Sequence, residues 1–141
     1  MPVRSYTIAA LLLCADVLGR SAANAQASEA MFTYLPKPQA MALREARDDA
    51  KRLSTYDKAY LSWLALTLSQ PECGLTDSGG RRRIQSVVEG ALMAANFEDP
   101  FSQMRAQGSI DYALGARACK SQDGADLLTT IVETLEEQNR R

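Results

Sequence analysis

The sequence predicts an all-α domain of about four helices in a small bundle, closed by one disulfide bond and preceded by a signal peptide. Three observations indicate this fold class. Several segments repeat apolar residues at intervals of three and four, as amphipathic helices do. Aromatic residues make up 6% of the chain and 8 residues are glycine, so an all-β fold has little support. Short connections between the helical segments favour antiparallel neighbours.

The first 27 residues have the features of a secretory signal peptide in the expected order. Arg4 supplies a positive charge, residues 6–14 are mostly apolar, and small residues follow. Cleavage after Ala25 and cleavage after Ala27 fit equally well. The apolar run is shorter than the about 20 residues of a membrane span, and Asp16 interrupts it. We therefore expect a periplasmic or secreted protein, from a Gram-negative bacterium.

Two alternatives to cleavage stay open at this end of the chain. One is an uncleaved amphipathic helix. The other is a lipoprotein attached through Cys14, which follows three leucines. A lipidation site normally has a small residue before the cysteine, whereas Leu13 is large, so lipidation is the minor alternative.

Residues 39–141 are predicted to form a single helical domain, since this length suits one modest core. Residues 28–38 contain two prolines and no helical period, which predicts a flexible or loosely docked lead-in. From about Gln39 to Ser69 the chain lacks proline and glycine, which predicts one long helix that Pro71 ends. Asp57 interrupts its apolar stripe and needs a partner if it is buried.

The second half of this helix, residues 59–68, is apolar nearly all round. It is too short to span a membrane, so no transmembrane segment is predicted. Such a helix is either the centre of the core or a surface that a partner covers, and the core interpretation is favoured. In the alternative, Tyr60, Trp63 and Leu64 form an apolar partner surface.

Three further helices are predicted after the loop of residues 70–80. The second helix covers residues 81–96, and the fourth begins after the turn of residues 121–123 and runs to about Gln138. Both have regular apolar stripes.

The third predicted helix begins with Asp99 as its N-cap and Pro100 at its first position. It extends to about Ala118, with Gly108 as a weak point where a kink or a close crossing is expected. Its expected inner face consists of Phe101, Met104, Tyr112 and Ala116.

Cys73 and Cys119 are the cysteines that remain after signal removal, and an exported chain with two cysteines predicts a disulfide bond. Other roles have weaker support. A redox site has a Cys-x-x-Cys motif, a zinc site has about four ligands, and a catalytic cysteine has a base such as histidine. The chain contains no histidine.

Catalysis, cofactors and nucleic acid are not predicted. Without histidine, the chain lacks the commonest general base and the commonest transition-metal ligand. It also lacks a Gly-x-Ser-x-Gly motif and a glycine-rich nucleotide loop. Its 16 basic and 17 acidic residues nearly balance, whereas a nucleic-acid-binding domain usually has a basic face.

Arg81, Arg82 and Arg83 lie at the predicted start of the second helix, where the helix dipole is already positive. Glu72 and Asp77, just upstream, are the nearest candidates to compensate them. A solvated face is the favoured interpretation of such a charge run. The alternative is a site for an external anion or an acidic partner surface, which would use the arginines together with backbone N–H groups.

The segment from about residue 56 to 138 resembles small exported alphaproteobacterial proteins of unknown function. It shares a Cys-Gly after a long helix, and the tail ARACKSQDGADLLTTIVETLEE around the second cysteine. The spacing of Cys73 and Cys119 is also similar to that of the HdeA acid-stress chaperone family. That resemblance implies a periplasmic helical protein with one disulfide, which unfolds at low pH and shields clients. The long helix before Cys73 is a difference from that family.

These patterns predict a non-enzymatic periplasmic helical protein that acts by binding another protein, whose identity the sequence does not give. A homo-oligomer and a bound anionic ligand are compatible with this hypothesis. The first alternative is an HdeA-like chaperone that opens on acidification. The second is a small envelope hydrolase, which needs carboxylates such as Asp57 or Asp111 gathered in a cleft.

Overall fold

A computed structural model describes residues 29–141, and the predicted signal peptide, its cleavage positions and Cys14 lie outside this range. The described residues form six α-helices, two short 3₁₀ helices and no strand. The helices are α1 (Lys37–Asp49), α2 (Thr55–Leu68), α3 (Ser78–Glu98), α4 (Pro100–Gly108), α5 (Tyr112–Lys120) and α6 (Gly124–Asn139). The all-α prediction is confirmed for this range, but the number of helices is six rather than about four.

The long helix predicted for residues 39–69 is two helices, α1 and α2. Ala50 ends α1 in the left-handed region, with φ of 53°. Ser54 then begins α2, because its hydroxyl accepts a hydrogen bond from the backbone N–H of Asp57 at 3.1 Å. Asp57 is therefore a half-buried residue of the first turn, where a carboxylate is favoured by the helix dipole. It accepts a hydrogen bond from Gln39 Nε2 at 3.0 Å.

The third predicted helix is also two helices, since Ser109 ends α4 and Asp111 caps α5. Its expected inner face is wrong. Phe101, Met104, Tyr112 and Ala116 are exposed. The buried positions of α4 and α5 are instead Ser102, Ala106, Leu114, Gly115 and Ala118. Most of these residues are small, which permits a close approach to the neighbouring helix.

The centre of the core is α2, which packs against each of the other five helices. Its apolar residues therefore point to neighbours on several sides, and Ala59, Leu61, Ala65 and Leu68 are fully enclosed. This position explains why residues 59–68 are apolar nearly all round.

The predicted flexible lead-in is packed against the domain. Met31–Tyr34 is a 3₁₀ helix that contacts α5 and α6, and Met31, Phe32 and Leu35 are buried. The guanidinium carbons of Arg44 and Arg47 lie 4.5 and 5.1 Å from the centre of the Phe32 ring, within cation–π range. Packing rather than helical periodicity orders this segment.

Cys73 and Cys119 lie at disulfide distance, with their Cα atoms 5.1 Å apart. Cys73 is in the 3₁₀ helix Pro71–Cys73 that follows α2, and Cys119 is in the last turn of α5. The predicted pair is therefore confirmed in its placement. It joins the end of α2 to the end of α5 across the three helices α3, α4 and α5.

Candidate functional site

Four of the six large apolar side chains that are exposed among residues 29–141 lie around the corner between α3 and α4, and the other two are Met41 on α1 and Tyr112 on α5. Phe97 is 80% exposed and Phe101 is 77% exposed, and Met93 and Met104 are exposed by 61% and 64%. We call these four residues the corner surface. An exposed aromatic pair is unusual, because rings of this size are normally among the more buried side chains of a domain.

Asp99 builds the corner. Its backbone N–H donates to Ala95 O at 2.9 Å, which completes α3. Its carboxylate accepts hydrogen bonds from the backbone N–H groups of Phe101 and Ser102, both at 3.2 Å, which begins α4. Pro100 occupies the first position of α4, where a missing N–H costs no helical hydrogen bond.

The spacing of the corner surface places its side chains on the outside of both helices. Met93 and Phe97 are four residues apart on α3, and Phe101 and Met104 are three apart on α4, so each pair shares one helix face. The opposite face of each helix is buried, at Ala91 and Ala95 in α3 and at Ser102 and Ala106 in α4. Sequence periodicity missed this surface because it assigned the large apolar residues of α4 to the core. The small pair Ser102 and Ala106 is the signal that indicates the true inner face.

Two acidic residues hold the corner in place. Glu98 Oε2 accepts a hydrogen bond from Thr55 Oγ1 at 2.8 Å, and Glu98 Oε1 lies 3.6 Å from Lys58 Nζ. The Thr55 hydroxyl, and then the Lys58 charge, lower the pKa of Glu98 against the opposing effect of partial burial. The pKa of Asp99 is lowered mainly by hydrogen bonds from the hydroxyl and the backbone of Ser102.

The three arginines of the predicted anion site have different surroundings. Arg81 Nη1 donates to Thr76 O at 3.1 Å. Arg83 Nη2 lies 3.3 Å from a carboxylate oxygen of Glu136 on α6, while Arg82 is exposed. Asp77, expected to compensate these charges, instead caps α3 by accepting from the backbone N–H of Gly80 at 2.7 Å.

The three residues of the predicted apolar partner surface do not form a surface. Tyr60 and Leu64 are buried in the core, and burial raises the pKa of the Tyr60 hydroxyl. Only Trp63 is partly exposed, and its indole N–H is enclosed without a hydrogen-bond acceptor among residues 29–141. Most of the exposed large apolar side chains among residues 29–141 are therefore those of the corner surface, at a different place in the fold.

The two carboxylates that a hydrolase could use, Asp57 and Asp111, both have structural roles. Asp57 is bonded to Gln39, and Asp111 accepts from the backbone N–H of Ala113 at 2.9 Å as the cap of α5. Three cavities of the described domain have neither residue in their walls. Within residues 29–141 there is no group of three or more Cys, Asp or Glu side chains placed to hold a metal ion. None of the helices described here has the length and apolarity needed to cross a bilayer.

Comparison with known proteins does not place the chain in a family. No protein-family model, no curated protein and no solved structure matches it. The resemblances noted from the cysteine pattern stay predictions. A proposal of function must therefore start from the residues of the chain itself.

Proposed function

We propose that this chain is a non-enzymatic periplasmic protein that binds a partner protein through its corner surface. The single observation that carries the proposal is the exposure of Phe97 and Phe101 on either side of Asp99. At ~200 Å² per ring, the two phenylalanines alone present roughly 300 Å² of aromatic area to solvent. The largest exposed apolar patch of a typical monomer is of about this size, and it is often a functional site.

The shape of the corner surface indicates what its partner looks like. Side chains that are 61–80% exposed project from the domain, whereas residues that line a groove are shielded by its walls. Pairs spaced i,i+3 and i,i+4 on a helix are the anchors of helix-in-groove recognition. We therefore assign the projecting role to this chain, and the role of an apolar groove to a partner protein.

The hydrogen bonds that hold the corner surface in place support a binding role. Asp99 fixes the angle between α3 and α4, and Glu98 connects the end of α3 to α2 through Thr55. Aromatic anchors on a rigid support lose little conformational entropy when they bind. The periplasmic location in the proposal rests on the signal-peptide pattern and on the cysteine pair, since disulfide bonds persist in oxidising compartments.

Site-specific crosslinking tests the proposal in cells that express the full chain. Photoreactive benzoylphenylalanine replaces Phe97 or Phe101, and replaces Met41 as a control. Met41 is also an exposed apolar residue, at 61%, but it lies on α1, which packs against α2 and α6. We expect the two corner positions to give one adduct of the same mass, mapped by mass spectrometry to an apolar groove of a second protein, and Met41 not to give it.

Three outcomes would contradict the proposal. The first is that neither corner position crosslinks to a protein. The second is that Met41 gives the same adducts. The third is that the adducts contain only copies of this chain, which would replace the partner protein with a homo-oligomer.

A further inference from the structure

A polar cavity of about 230 Å³ is lined in part by Glu98, and none of the four corner residues lines it. It is enclosed by the ends of α3 and α6, the first turn of α2 and the turn between α1 and α2. Its polar lining consists of Arg52, Lys58, Glu98, Gln138, Asn139 and Arg141.

The side chains that line this cavity have an excess of positive charge. Arg52, Lys58 and Arg141 contribute three cations and Glu98 contributes one carboxylate. A second carboxylate, Glu137, is outside the lining and lies 3.9 Å from Arg141 Nη2. Like charges gathered around a concave, partly desolvated space raise the local potential, and this attracts counter-ions of the opposite sign. The residues come from three separate stretches of the chain, so only the fold assembles this charge.

Lys58 is the unusual member of the group, because it is only 4% exposed. Its ammonium lies 3.6 Å from Glu98 Oε1, which is longer than the 2.7–2.9 Å typical of a charge-assisted hydrogen bond. The other oxygen of Glu98 is already bonded to Thr55. An ammonium has three donors, and Lys58 Nζ is not among the fully enclosed side-chain atoms that lack a partner, so its remaining donors are open to the cavity. Lys58 therefore has unused donors on the wall of the cavity.

The wall around Lys58 is held by hydrogen bonds between the α1–α2 turn and α6. The buried side chain of Gln138 accepts from the backbone N–H of Leu53 at 3.0 Å and donates to Lys51 O at 3.1 Å. These two bonds fix the backbone on both sides of Arg52. Arg141 Nη1 donates to Ala50 O at 2.7 Å. None of the ion pairs within residues 29–141 involves Arg52.

We infer that this cavity binds a small oxyanion, a phosphate or carboxylate group, with Lys58 as the inner contact and Arg52 and Arg141 at the mouth. A water molecule takes about 30 Å³ of liquid volume, so the cavity has room for a phosphate or a small dicarboxylate. The bound oxygens supply further acceptors to Lys58, and the Arg52 guanidinium binds carboxylate or phosphate through paired N–H donors. Arg141 is held by Ala50 O and lies 3.9 Å from Glu137, so it contributes charge at the mouth.

Titrations with inorganic phosphate and with succinate test the inference separately. Each is added to the disulfide-bonded protein at constant ionic strength, and backbone amide shifts are followed by NMR. We expect saturable shifts confined to residues 51–58, 90–98 and 138–141 for at least one anion. Which anion saturates distinguishes a phosphate site from a carboxylate site.

Matched variants decide whether the cavity is the site. Lys58→Gln should raise the dissociation constant about tenfold or more, because hydrogen bonds to charged groups contribute strongly. Arg52→Gln and Arg141→Gln should weaken binding severalfold, and both are exposed, so they test the site even if Lys58→Gln does not fold. Arg82→Gln removes the same charge outside the cavity and should leave the dissociation constant within twofold.

The inference is overturned if neither anion gives saturable shifts. It is also overturned if the shifts spread over all basic surfaces, or if Arg82→Gln weakens binding as much as Arg52→Gln does. The variants in this test leave all four corner residues unchanged, so its result is independent of the proposed partner protein.

Discussion

Thr55 Oγ1 donates a hydrogen bond to Glu98 Oε2 at 2.8 Å, which joins the first turn of α2 to the last turn of α3. The two residues are 43 positions apart in the sequence. On one side of Glu98 the chain turns through Asp99 to present Phe101, and on the other side Lys58 lines the polar cavity. This bond therefore supports both surfaces to which we assign a function.

The disulfide bond should be a main source of stability. Cys73 and Cys119 are separated by 46 residues, and closing a loop of this length stabilises a fold by about 4 kcal/mol in the chain-entropy model. We expect the double variant Cys73→Ser/Cys119→Ser to lose a free energy of unfolding of that order in urea. A loss of less than about 1 kcal/mol would mean that helix packing alone holds the two ends together.

The domain should become less stable as the pH decreases, because the two carboxylates at the corner, Glu98 and Asp99, become protonated. The pKa values of Glu98 and Asp99 are lowered in the folded state, so the unfolded chain binds more protons as the pH falls. Their stabilising effect is complete above the ordinary carboxylate pKa of about 4 and is lost below it. Urea denaturation between pH 7 and pH 3 measures this slope. We expect Asp99→Asn to flatten it, and the exposed control Glu89→Gln to leave it nearly unchanged.

The acid experiment also separates the binding protein from the chaperone alternative. An acid-activated chaperone must open at low pH and then suppress the aggregation of a client protein. We expect the purified domain not to suppress client aggregation near pH 2–3. Opening of the helical core at that pH together with efficient suppression would favour the HdeA-like function instead.

Two glycines should respond in opposite ways to the same substitution. A methyl group at Gly124 would collide with the backbone carbonyl of Ala118, whereas one at Gly108 would meet no atom within 4 Å. We expect Gly124→Ala to destabilise the domain by about 1–3 kcal/mol through overpacking. Gly108→Ala should be neutral or stabilise it by up to about 1 kcal/mol. Thermal unfolding of both variants measures the difference, and equal melting temperatures would contradict this packing of α6 against α5.

The exposure of Phe101 can be tested by stability alone. Phe101→Ser should change the free energy of unfolding by no more than about 0.5 kcal/mol, as is usual for surface positions. Leu61→Ala, in the centre of α2, should cost about 2–5 kcal/mol. If Phe101→Ser costs as much as Leu61→Ala, then Phe101 is a core residue, as helical periodicity alone predicts.

Periodicity and cysteine count predicted the fold class and the cysteine pair, because both depend on local composition. The breaks at Ala50 and at Ser109 were missed for different reasons. At Ala50, nothing in the side chain of alanine indicates a left-handed backbone. At Ser109, the preceding Gly108 was interpreted as a kink within one helix, whereas Asp111 caps a new helix. The predicted inner face of α4 was also displaced by one residue, so Phe101 was expected to be buried in the position that Ser102 occupies.

The polar cavity could not be predicted, since its members are ordinary surface charges in the sequence. Arg52, Lys58 and Glu98 come together only because α2 and α3 pack against each other. The arginine cluster shows the converse. Arg81, Arg82 and Arg83 are adjacent in sequence, but Arg81 and Arg83 have separate protein partners.

The affinity for the crosslinked partner tests the central claim most directly. With that partner purified, calorimetry compares the parent chain with Phe97→Ser, with Phe101→Ser and with the exposed control Met41→Ser. Truncating an anchor at the centre of an interface typically costs about 2 kcal/mol or more, so the dissociation constant of each phenylalanine variant should rise roughly thirtyfold or more. Met41→Ser should bind within about twofold of the parent chain, as a residue outside the interface does. Unchanged affinity of both phenylalanine variants would contradict the assignment of the corner surface as the binding site.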